Sequence, residues 1–94
     1  MLFVGFAHFK PNSQKQHDAA KSAFGDHLAQ PLNPRIKLAG ALLDNAGSEC
    51  GIFVLMETDG IETARAFLAA SPYQKSGLYE SAAINAVRLE VGHL

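Results

Sequence analysis

Apolar positions along the chain change their period several times, and each change marks an element. Leu2 to Phe9 is a dense run of aromatic and branched residues that stops at Lys10-Pro11-Asn12, where proline removes a ladder donor; it predicts a first strand. Ala20, Ala23, Phe24, His27 and Leu28 then recur at helical spacing until Pro31 and Pro34 forbid continuation, with Ser13 and Gln16 in the positions of a capping box. Arg35 to Leu43 alternates and then turns at Asp44-Asn45-Ala46-Gly47, and Ile52 to Met56 is continuously apolar, which predicts a hairpin of two strands. Ile61, Ala64, Phe67 and Leu68 form the buried stripe of a second helix, for which Asp59 and Glu62 offer another capping box.

Ser71-Pro72-Tyr73-Gln74 carries the fullest helix-start signature in the chain: a serine cap, proline at the first helical position and glutamine as the returning partner, with Gly77 placed to end the short turn. From Tyr79 to Val91 alternation returns, predicting a fourth strand. The order is βαββαβ, an α+β ferredoxin-like fold with an antiparallel sheet, and residues 1–94 form one such domain, because a chain of this length supports one hydrophobic core.

Two helices cover one face of a four-stranded sheet. The other face of a solitary domain should then show polar residues at alternate positions. Leu2 to Phe6 and Ile52 to Met56 place large apolar side chains on both faces however they are phased. An uncovered face of that kind invites a second sheet, and the expectation is a homodimer packed through its sheet faces, a dimeric α+β barrel.

Composition narrows the partners. Eight Lys plus Arg against nine Asp plus Glu give a net charge of −1, so there is no basic field for nucleic acid. The apolar opening run is too short to cross a bilayer and lacks a basic leader, so no membrane partner is expected and the chain reads as cytoplasmic. Cys50 is the single cysteine, read as an inert thiol. The histidines and cysteine have no ligand-like spacing, so we expect no metal and no cofactor.

Several stretches together resemble the YCII-related family: Met1-Leu2-Phe3-Val4, Asp26-His27-Leu28-Ala29, Arg35 to Leu43, and above all Ser71-Pro72-Tyr73-Gln74-Lys75-Ser76-Gly77-Leu78-Tyr79-Glu80. The resemblance implies small dimeric barrels whose site pairs a histidine on helix one with an aspartate preceding the Pro-Tyr step, the carboxylate fixing and strengthening the imidazole as an acid or base. In this chain Ser71 stands in the aspartate position. One register puts Phe24 in the histidine position, and Phe24 cannot exchange a proton; a second register puts His27 there. Ser71 retains the ability to cap the helix that starts at Pro72.

The primary expectation is therefore a dimer that binds a small molecule without the family's dyad, in a cleft framed by Phe24, His27, Ser71, Pro72 and Tyr73, with His8 at the end of strand one within its reach. A catalytic alternative uses His27 as general base, or as the base for a Ser71 nucleophile, in lyase, dehydrohalogenase or isomerase chemistry on small organic acids. A third reading starts from Leu2-Phe3-Val4-Gly5 and Gly51-Ile52-Phe53-Val54, which loosely imitate the sheet motifs of RNA-recognition domains but lack the flanking Lys or Arg.

Overall fold

The computed structural model describes residues 1–30 and 32–94. The elements follow the sequence pattern: β1 (Leu2–Phe9), α1 (Gln14–Ala29), β2 (Arg35–Leu43), β3 (Glu49–Glu57), α2 (Ile61–Ala69), α3 (Pro72–Lys75) and β4 (Tyr79–Val87). Pro31, the first of the two expected helix-stopping prolines, lies outside the described residues. The strands form one antiparallel sheet in the order β2-β3-β1-β4, the ferredoxin-like arrangement.

The β2–β3 reversal uses its turn residues as expected. The Asp44 carboxylate accepts from the backbone N–H groups of Ala46 and Ser48, and Gly47 adopts the positive φ of 81° that a side chain would resist.

Three local expectations change. Ser13 does not cap α1; its hydroxyl donates to the Lys10 carbonyl at 2.6 Å across the turn made by Asn12 at φ 60°. Asp59 does not cap α2 either. Gly60 occupies the N-cap, so Glu62 lies in the first turn, where it pairs with Arg65 at 3.0 Å. The fourth strand ends at Val87 instead of Val91, because its neighbour β1 begins at Leu2, opposite Val87, and no ladder remains to join.

The register sorts the sheet into two faces. Phe3, Gly5 and Ala7 stand opposite Met56, Val54 and Ile52, and with Phe9 they face the helices. Phe24 of α1, Phe67 and Leu68 of α2, and Tyr73 of α3 close that core. Gly5 makes room there for Leu68: a Cβ would lie 2.6 Å from a Leu68 methyl, which would have to shift. The other face carries Leu2, Val4 and Phe6 of β1 opposite Glu57, Leu55 and Phe53, with Leu38 and Leu42 of β2 and Ala83 and Val87 of β4 alongside. Among the described residues no helix lies over it, and Phe6 and Leu38 remain 38% and 52% exposed. This face is apolar in the centre, not polar, as the unpatterned strands required.

Candidate functional site

On the helix-facing side of the edge strand β2 the side chains are small. Ala39 and Ala41 stand beside Val54 and Ile52 of β3 and leave space that larger residues would have filled. A cleft of about 300 Å³ opens there between α1 and the β2–β3 edge, with Phe24, Leu28, Ile52 and Tyr73 among its walls. Phe24 and Tyr73 stack with ring centres 4.5 Å apart and planes inclined by 26°.

The mouth of this cleft is charged. Lys21 of α1 reaches Glu49 of β3 at 2.8 Å, and that hydrogen bond, with the carboxylate's charge behind it, raises the Lys21 pKa. Burial pushes the Tyr73 phenol up; the Glu49 charge adds to the rise, Lys21 opposes it, and Asp18 contributes a smaller increase. Tyr73 therefore keeps its proton near neutral pH and can donate a hydrogen bond.

His27 and Pro72 lie elsewhere. Both border a separate, open cleft of about 450 Å³ between α1, the end of α2 and α3. The His27 ring stacks on Phe67 at 4.2 Å, and its Nε2 is 2.8 Å from the Phe67 carbonyl. A carbonyl only accepts, so in the neutral ring Nε2 holds the hydrogen and Nδ1 keeps its lone pair.

Ser71 is fully buried between these regions. Its Oγ accepts from the Tyr73 backbone N–H at 3.2 Å, which is the expected helix cap, and lies 3.1 Å from the Tyr79 hydroxyl. Burial pushes the Tyr79 pKa up to about 12, with the Ser71 hydrogen bond acting in the opposite direction. Among the described residues no hydrogen bond joins Ser71 to His27. His8 sits on the open face of the sheet, opposite Gly51 and Ser81 and away from both clefts. Of the residues singled out in the sequence, the fold thus unites Phe24 with Tyr73 and His27 with Pro72, while Ser71, bonded to the Tyr73 backbone, lines neither cleft and His8 stands apart from both.

The sequence pattern marked none of Lys21, Glu49 and Asp18 as site residues. Their meeting depends on packing α1 against the start of β3 across 28 residues of sequence between Lys21 and Glu49, and no local pattern announces it. A groove of about 520 Å³ between α2 and β4 is larger than either cleft. Its lining includes one charged side chain, Arg65, and a tyrosine, Tyr79, whose hydroxyl is engaged with Ser71.

The four-stranded sheet with its helices on one side is the subunit architecture of the dimeric α+β barrel class. The family model of the YCII-related domain matches residues 1–88, and the chain belongs to that family. No curated protein matches it in sequence.

Among solved structures it is similar to 5-chloro-2-hydroxyhydroquinone dehydrochlorinase (TftG) from Burkholderia phenoliruptrix in complex with 2,5-dihydroxybenzoquinone, with a TM-score of 0.81 and 22% identity over 98% of this chain and 96% of that one. SnoaB, a cofactor-independent oxygenase from Streptomyces nogalater, superposes with a TM-score of 0.59 and 10% identity, covering 98% of this chain and 96% of its own. An uncharacterized NIPSNAP-like domain protein from Burkholderia xenovorans gives 0.57 and 14% over 99% of this chain and 88% of its own. At these identities the likeness establishes the fold.

Proposed function

We propose that the protein is a cytoplasmic homodimer that binds a flat, largely apolar small molecule in the cleft between α1 and the β2–β3 edge. One observation carries this reading: an apolar cleft of about 300 Å³ is walled by stacked Phe24 and Tyr73 and has the Lys21–Glu49 pair at its mouth. Aromatic walls suit a planar ring, and the Tyr73 hydroxyl and Lys21 ammonium suit oxygen substituents on its edge. Hydroxylated aromatic acids and hydroxyquinones have that chemistry, and the quinone complex of the dehydrochlorinase makes them the first compounds to test.

With Phe24 and Ser71 in the positions where the family resemblance implies a histidine and an aspartate, the cleft holds and orients its ligand without that acid–base pair. The open sheet face supports the dimer. Phe6 and Phe53 there are surrounded by Val4, Leu38, Leu42 and Leu55, a setting for a second copy of the chain and not for a phosphate backbone.

Calorimetric titration with 2,5-dihydroxybenzoquinone and hydroxylated benzoic acids tests the cleft, read beside an Ala39→Leu variant in which the added side chain fills the space under α1. Saturable binding by the wild type that is lost in Ala39→Leu, with the circular dichroism spectrum retained, is the expected result. Binding that persists in the filled variant would defeat this assignment.

A catalytic reading has one specific observation in its favour. The Phe67 carbonyl fixes the His27 tautomer and leaves Nδ1 free to take a proton beside an open cleft. In that case His27→Gln abolishes turnover of a halogenated or hydroxylated acid, and His27→Gln paired with His8→Gln leaves nothing further to lose.

A further inference from the structure

The first turn of α1 holds a group that neither cleft uses. His17 is 4% exposed and its ring lies flat on Phe9, with centres 4.2 Å apart and planes 8° from parallel, so packing fixes its orientation. Its Nδ1 is buried without a hydrogen-bond partner among the described residues. Buried polar nitrogens ordinarily have a partner, and one without a protein partner is a place for a water or an ion. Two carboxylates stand in front of it. Asp18 Oδ1 is 3.7 Å away, and one donor atom each from His17, Asp18 and Glu49 lies within 4.8 Å of the other two.

We propose that His17, Asp18 and Glu49 bind a divalent cation of the zinc class. One imidazole nitrogen and two carboxylate oxygens are donors that Zn²⁺ and Co²⁺ accept, and three protein ligands leave a coordination position open. Bonds of about 2.0–2.2 Å to a tetrahedral ion place neighbouring donors about 3.4 Å apart, close to the present His17–Asp18 separation. Glu49 completes the set by a side-chain rotation. That rotation releases Lys21, whose ammonium now occupies the Glu49 oxygen at 2.8 Å and acts as a built-in competitor for the cation.

The sequence hid this set because the donors combine an adjacent pair on a helix with a residue that begins a distant strand, unlike the short repeats that mark structural zinc sites. The site adjoins the mouth of the ligand cleft, where Lys21 and Glu49 also stand, but it does not depend on what the cleft holds.

Titration of the chelator-treated full chain with Zn²⁺, and with Co²⁺ read through its visible absorption, tests the proposal. One equivalent per chain is expected. Asp18→Asn and Glu49→Gln, both surface substitutions that leave the core intact, should each weaken binding by at least about tenfold, the least expected even for groups that only support a ligand. Lys21→Met should bind zinc more tightly than the wild type, an outcome that loss of a structural ion pair would not produce. Absence of stoichiometric uptake, binding that survives both carboxylate substitutions, or a Lys21→Met variant no tighter than wild type would each overturn the site.

Discussion

The two faces of the sheet are built from the same kinds of residue and have different fates. Val54 and Met56 on one side are fully buried under α1 and α2, whereas Phe6 and Leu38 on the other keep substantial exposure although they are as apolar. Adjacent positions of a strand point to opposite faces, so a continuous apolar run declares that both faces want cover and says nothing about what supplies it. One cover is in the chain itself. The other face has no cover in the chain, and under the proposed dimer its disruption should be felt as loss of assembly and not of folding.

The sharpest way to break this comparison is to place a charge on each face in turn. Val54→Asp puts an unpaired carboxylate in a closed core and should cost more than about 4 kcal/mol, enough to leave the chain unfolded by circular dichroism. Phe6→Asp puts the same charge on the open face. Sedimentation should then show a folded monomer where the wild type sediments as the proposed dimer; a wild type that is monomeric, or a variant that stays dimeric, would defeat this use of the face.

A smaller effect is expected within the covered side, where Ser71 is a fully buried polar group. Ser71→Ala removes the cap of α3 and strands the Tyr79 hydroxyl, for a loss of about 1–3 kcal/mol in denaturant unfolding without any change of assembly. The smallest effect is alkaline. The Tyr79 pKa of about 12 in the folded chain lies above the value of about 10 for a free phenol, so its contribution to stability is whole below pH about 10 and is lost as the pH rises from there to about 12. Tyr73 shifts in the same direction. Unfolding midpoints measured across that window should fall, and Tyr79→Phe should flatten the fall.

Much of the architecture was legible because its signals are local. β1 and β2 occupy the residues that the apolar runs marked, and the Ser71-Pro72 start of α3 is capped as its sequence requires. Where local signals misled, a neighbour explains why. The end of β4 is set by the start of β1, and the Ser13 hydroxyl is drawn to Lys10 by the turn at Asn12.

The candidate site was less legible. Phe24 and Tyr73 were named as neighbours and do stack, but His27, expected to share their cleft, stacks on Phe67 and borders the separate cleft instead. Three residues along a helix leave Phe24 and His27 only about 60° apart on one face, and it is α3, packed against that face, that divides the cleft bordered by Phe24 from the one bordered by His27.

By itself the sequence determined the order of elements, the family and the apolar character of both sheet faces. All of these follow from residue type and short-range spacing. The cleft under α1, the Lys21–Glu49 pair and the grouping of His17 with two carboxylates were decided by the tertiary structure alone. They arise where small side chains on an edge strand leave space and where a helix meets a strand distant in sequence, and packing in three dimensions is what sets both.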